Sequence, residues 1–201
     1  MPRRQYYCAV AAWVAMLTLA ACSNTAKPTF LSTDITGVTF GKEFKLVDHN
    51  GVTRTLADFR GKAIVLFFGY THCPDICPAS MAGIASATQK LGKDAGRVQV
   101  LFITVDPERD TPDTLKQYLS AFDPAFLGLY GDAGATQEIA KEFKIVYQKQ
   151  AGTSSDHHTM DHSAGVYIFD PKGQLRLYAS VNGNGGDILA HDIAELLRTT
   201  G

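Results

Sequence analysis

Ala63-Ile64-Val65-Leu66-Phe67-Phe68-Gly69-Tyr70-Thr71-His72-Cys73-Pro74-Asp75-Ile76-Cys77-Pro78 is the stretch on which the reading of this chain turns. Six consecutive apolar residues, β-branched or aromatic for the most part, predict a strand buried on both faces. Two cysteines four residues apart follow at once, with Pro78 suited to the first turn of a helix. Residues i and i+4 on a helical turn share one side, about 6 Å between Cβ atoms, so both sulfurs can converge on one soft metal ion or oxidise to a disulfide. The helix N-terminus is also expected to acidify the thiols and so ready them as ligands.

Outward from this stretch the chain alternates strands and helices. Residues 98–105 predict a second buried strand, and between the two strands Met81, Ile84, Ala85, Thr88 and Leu91 keep helical spacing. Upstream, 44–47 and 52–56 flank Asn50-Gly51, a tight-hairpin signal. Downstream, a helix starts near Thr111-Pro112 with Leu115, Tyr118, Leu119 and Phe122 on one side, and a third helix covers about 136–143. Segments 165–169 and 175–180 pair across Asp170-Pro171-Lys172-Gly173, and a last helix capped near Asp187 carries Ile188, Leu189, Ile193, Leu196 and Leu197. The order βαβ, α, ββα, with a cysteine pair after the first buried strand, is that of an α/β domain with the thioredoxin-like fold. The N-terminal hairpin extension and the inserted second helix are additions to the minimal form.

The chain has four cysteines, Cys8, Cys22, Cys73 and Cys77. Arg3 and Arg4, an apolar run over 9–21 and Leu19-Ala20-Ala21-Cys22 read as an export signal, too short for a membrane span and ending in a bacterial lipoprotein-like box. That predicts a signal peptide over 1–21, lipidation of Cys22, a tether over 22–36, and one domain over 37–201 on the periplasmic or extracytoplasmic face of a membrane. Cys73 and Cys77 are then the free thiols, in a compartment where an unprotected pair oxidises. Without Arg3 and Arg4, 17 basic residues face 20 acidic ones, a net charge near −3 that carries no nucleic-acid footprint.

Two thiolates suit Cu(I), whereas a structural zinc site would need four protein ligands. With two cysteines available, any further ligand must come from His, Met or a carboxylate. Asp156-His157-His158-Thr159-Met160-Asp161-His162 precedes the strand at 165–169. In a thioredoxin-like domain that loop lies beside the cysteines, where an oxidoreductase usually places a cis-proline. Asp161-His162-Ser163-Ala164 has no proline and does have a histidine, which tilts the reading toward metal binding.

Tyr70-Thr71-His72-Cys73-Pro74-Asp75-Ile76-Cys77-Pro78, Val105-Asp106-Pro107-Glu108-Arg109-Asp110-Thr111-Pro112 and Asp161-His162-Ser163 resemble, in order, the three signatures of the Sco/SenC family of copper chaperones. The resemblance covers the chain from about Gly37 onward. It implies one copper per chain, as Cu(I) or Cu(II), held by Cys73, Cys77 and His162. It also implies a role in assembling the binuclear copper site of cytochrome c oxidase, by copper delivery or by reduction of target cysteines. The implied partners are the copper-site subunit of the oxidase and other periplasmic copper chaperones or thiol reductants.

His157, His158 and Met160 stand outside that signature. They form either an auxiliary copper site or a polar loop with its histidines in solvent, and the second is preferred. His72 is expected beside the ligands rather than among them, Asp106, Arg109 and Asp110 as an internal ion-paired turn, His49 and His191 on the surface, and Met81 in the core. The rival function is a thiol–disulfide oxidoreductase in which Cys73 attacks a partner disulfide and Cys77 resolves the mixed disulfide. A peroxidase of the peroxiredoxin type lacks its threonine and arginine motif.

Overall fold

The computed structural model describes residues 28–150 and 158–200. Cys8, Cys22, the signal peptide and His157 lie outside the described residues. The elements are β1 (Thr33–Asp34), β2 (Lys45–Asp48), β3 (Thr53–Thr55), β4 (Ala63–Gly69), α1 (Ile76–Lys90), β5 (Val98–Thr104), α2 (Pro112–Ser120), β6 (Leu127–Tyr130), α3 (Ala133–Glu142), β7 (Tyr147–Gln150), β8 (Thr159–His162), β9 (Val166–Phe169), β10 (Leu175–Ala179) and α4 (Gly185–Thr200), with short 3-10 turns at Leu56–Phe59 and Gly92–Arg97.

Eight strands form one mixed sheet in the order β1-β10-β9-β4-β5-β6-β2-β3. The centre is parallel, β4 beside β5 and β5 beside β6, and antiparallel strands flank it on both sides. Every residue of β4 is buried, which is what an uninterrupted Ala-Ile-Val-Leu-Phe-Phe-Gly run requires at the middle of a sheet covered on both faces. Helices α1 and α4 pack against each other, with Met81, Ile84, Leu189 and Ile193 inside. Each such side chain, fully removed from water, contributes about 1.5–3 kcal/mol.

The central βαβ unit, the N-terminal hairpin, the helix from Pro112 and the β9/β10 hairpin stand where the pattern puts them. Strand β6 does not follow from the pattern. Its sequence, Leu-Gly-Leu-Tyr, is short and carries Gly128, yet a Cβ there would lie 2.9 Å from Leu119 Cδ1 and 3.0 Å from Leu115 Cβ, so the glycine is what lets α2 approach the strand. Helix α3 begins at Ala133, earlier than expected, because the Asp132 carboxylate accepts the Ala135 N–H at 2.8 Å and caps it. Helix α4 begins at Gly185, so Asp187 sits in its first turn and is not its cap.

The end of the stretch read as tether belongs to the fold. Thr33 and Asp34 pair with β10, and the buried Asp192 carboxylate accepts the Leu31 and Ser32 N–H groups, each at 2.8 Å. His49 is half-buried rather than on the surface, its Nδ1 accepting the Gly128 N–H at 3.1 Å. Among the described residues no helix is long and apolar enough to cross a membrane.

Candidate metal centre

Strands β4 and β5 are parallel, and their C-terminal ends lead into residues 70–75 and 105–111, side by side at one edge of the sheet, where open α/β sheets place their sites. Strand β9 runs antiparallel to β4 with Val166 opposite Phe67. The residues just before β9 must therefore pass beside those just after β4. That register is what brings His162 to the cysteines across 85 residues of sequence.

The Sγ of Cys77 lies 3.4 Å from Nε2 of His162, and the ligand atoms of Cys73, Cys77 and His162 all fall within 4.8 Å of one another. Donors bound to one ion at distances of about 2.0–2.3 Å stand roughly 3.5–4 Å apart, so the three need little movement to share an ion. Nδ1 of His162 lies 3.0 Å from the Ser163 carbonyl. A carbonyl only accepts, so Nδ1 carries the proton and Nε2 turns its lone pair toward the Cys77 sulfur, the arrangement of a metal-ligating imidazole. Burial also holds the His162 pKa below its ordinary value, against the pull of the Ser163 carbonyl and Asp161, which keeps the ring neutral. The rings of Tyr70 and Phe67 meet the His162 ring edge-on, with centroids 5.9 and 6.3 Å away.

The two thiols differ. Cys77 is the second residue of α1 and fully buried, while Cys73 precedes the helix and is half-buried. The expected acidification fails at Cys77: burial pushes its thiol up, outweighing a hydrogen bond from the Tyr70 backbone. The free amide at the start of the helix points instead at the Cys73 sulfur, with Cys77 N–H donating to Cys73 Sγ at 3.4 Å. At Gly69 an added Cβ would sit 3.1 Å from Cys77 Sγ and 2.9 Å from the Phe67 and Phe102 rings, so the sulfur occupies space a side chain would fill.

A group whose pKa is raised by folding stabilises the protein fully below its ordinary value, here 9.0, and that stabilisation is lost as pH rises beyond it. The reduced, metal-free protein is expected to lose roughly 1 kcal/mol more than Cys77→Ala between pH 9 and pH 10. Urea unfolding of both at the two pH values checks this, and parallel curves would contradict it.

The cysteine loop is tied to the turn after β5. The Asp110 carboxylate, 2% exposed, accepts from the Thr71 N–H at 3.0 Å, from Thr71 Oγ at 2.6 Å and from Thr104 Oγ at 2.6 Å. Asp106 pairs with Arg109, whose Nε donates at 2.6 Å, and the Arg109 guanidinium lies over the Tyr70 ring. His72 is half exposed and bonded to Thr71, outside the ligand group. His158 is not in solvent as preferred on sequence: it is 6% exposed, with Nε2 3.1 Å from Asp106. Met160 is also buried, and its backbone meets the Tyr70 hydroxyl. The alternation explains both: from His158, just before β8, through the strand, Thr159 and Asp161 face out while His158, Met160 and His162 face in.

Fold and site together define a thioredoxin-like domain in which two thiols and one imidazole converge, a donor set suited to a single soft ion. Residues 32–198 match the SCO1/SenC family. The chain belongs to that family. It is 39% identical over 140 residues to the mitochondrial SCO2 homolog of Bos taurus, covering 69% of this chain and 53% of the relative. It thus spans about half the length of the curated relatives it matches first. Among solved structures it resembles Bradyrhizobium japonicum ScoI with copper bound, at 38% identity and TM-score 0.73 over 79% of this chain and all of that one. Yeast Sco1 with copper bound aligns at 31% identity and TM-score 0.73, over 82% of this chain and 91% of that one.

Proposed function

We propose that this chain binds one copper ion through Cys73, Cys77 and His162 outside the cytoplasm, held to a membrane through Cys22, and acts in assembling the binuclear copper site of cytochrome c oxidase. The observation that carries the reading is the convergence of the two sulfurs with an imidazole whose Nε2 lone pair already faces them. Relatives crystallised with copper support it. Low coordination number leaves the ion open to an incoming ligand, so copper can pass stepwise to thiolates of the oxidase subunit. Oxidation to a Cys73–Cys77 disulfide removes both sulfur donors, which makes loading depend on the redox state of the pair.

The test is a Cu(I) competition titration of the full-length chain, reduced and after oxidation. One equivalent bound tightly by the reduced form and none by the oxidised form is expected. Equal binding by both would overturn the reading.

One observation favours a second activity, reduction of the target's cysteines. Cys73 is the accessible thiol and its sulfur accepts the N–H at the helix start. Its thiolate can attack a partner disulfide to form a mixed disulfide, which Cys77 then resolves, leaving the partner reduced and Cys73–Cys77 oxidised. Turnover of an insulin disulfide by the copper-free reduced chain would identify a general reductase.

A further inference from the structure

The hairpin of β7 and β8, which ends in His162, forms a two-stranded sheet of its own and shares no ladder with the eight-stranded sheet. The β9/β4 register carries the chain past the cysteine loop, but pairing with the main sheet stops at Val166, so it does not by itself fix how His162 is set against the sulfurs. Side chains must do so. Two polar contacts join the hairpin to the turn after β5: an ion pair of Lys149 Nζ with Glu108 Oε2 at 2.6 Å on the surface, and a hydrogen bond of His158 Nε2 with Asp106 Oδ2 at 3.1 Å inside.

The inner contact is built into the core. His158 and Asp106 are 6% and 3% exposed, and a carboxylate accepts, so Nε2 donates. Nδ1 of the same ring is buried and has no hydrogen-bond partner among the described residues, so the Asp106 bond is the polar contact the ring makes. From Asp106 the connection runs to the cysteines. The Asp110 N–H donates to the Asp106 carbonyl at 3.0 Å, and the Asp110 carboxylate holds Thr71, two residues before Cys73.

We infer that His158 is a positioning residue for copper: its bond to Asp106 latches the β7/β8 hairpin to the turn that holds the cysteine loop, and so sets His162 against Cys73 and Cys77. The inference rests on the copper reading of those three residues. Asp106, Glu108 and His158 also have ligand atoms within 4.8 Å of one another. Arg109 already neutralises Asp106 and Lys149 already neutralises Glu108, so an entering cation would have to displace both. The latch uses these contacts as they stand.

The latch is tested by a double-mutant cycle on the reduced full-length chain, with Cu(I) competition titrations of wild type, His158→Phe, His162→Ala and the double variant. His158→Phe keeps the ring volume without the donor and is expected to bind about tenfold more weakly, with no further loss when His162 is already alanine. His158→Gln restores a donor toward Asp106 and is expected to stay within about threefold of wild type. In the Cu(II) form, nitrogen hyperfine coupling in the electron paramagnetic resonance spectrum should diminish in His158→Phe and persist in His158→Gln. An equal tenfold loss in the His162→Ala background, or no loss in His158→Phe, overturns the latch. If Cys73→Ala and Cys77→Ala also bind as wild type, the copper reading itself has failed. Glu108→Gln at the exposed contact covers the case in which His158→Phe does not fold: a loss of about twofold, absent in the His162→Ala background, is expected, and a loss that persists there overturns the latch.

Discussion

Cys77→Ala is expected to weaken Cu(I) binding by about a hundredfold or more, the largest single effect on the proposed function. Structural metal sites with four ligands hold their ion with about 10–16 kcal/mol, or about 2.5–4 kcal/mol for each ligand, and every 1.4 kcal/mol is tenfold. A soft thiolate contributes at least that share for Cu(I). The burial that raises the Cys77 pKa also sets a pH dependence. The neutral thiol must release its proton to the solvent when the ion binds, so apparent affinity rises by about tenfold for each pH unit through the neutral range. In Cys77→Ala the part of that slope belonging to this proton disappears. Competition titrations at pH 6, 7 and 8 on both proteins measure the two effects together, and a pH-independent affinity in the wild type would contradict the account.

Asp110→Ala is expected to remove about 3–5 kcal/mol of folding stability. The carboxylate is buried and receives three bonds, from Thr71 N–H, Thr71 Oγ and Thr104 Oγ. Truncation takes the acceptor from the buried Thr104 hydroxyl and from the part-buried Thr71 N–H and hydroxyl, at about 1–3 kcal/mol each before relaxation. For a domain of this size the melting midpoint should fall by about 10 °C. Thermal unfolding of the reduced protein checks the magnitude. Asp110→Asn retains one acceptor oxygen and should lose less than half as much. If Asp110→Ala melted within 2 or 3 °C of wild type, the tie between the cysteine loop and the turn after β5 would be immaterial to the fold.

Those parts of the molecule whose residues obey one dominant rule were legible in the sequence. Six apolar residues from Ala63 to Phe68 and the run 98–105 can only be buried strands, and a cysteine pair after the first of them locates the site. The approach of His162 to the cysteines followed from the fold's order, since the residues before Val166 had to pass beside Gly69. What was not legible depended on contacts between distant segments. Strand β6 is a strand because α2 packs onto Gly128, and nothing local in Leu-Gly-Leu-Tyr says so. Strand β8 reads in sequence as part of a polar loop because its outward residues are polar. Yet the alternation of His158, Met160 and His162 with Thr159 and Asp161 is the period-two signature of a half-buried strand, and would have turned His158 inward. The behaviour of the Cys77 thiol was hidden for another reason: the helix terminus and burial act in opposite directions, and only the structure says how completely Gly69, Phe67 and Phe102 enclose the sulfur.

The unequal exposure of the two sulfurs gives the centre a front and a back. A thiolate approaching on another protein meets Cys73 first, while Cys77 lies against the floor formed at Gly69, with no exposed surface of its own. Any exchange, of an ion or of a disulfide, then has a fixed sequence of hands: the outer sulfur changes partner while the inner one still holds.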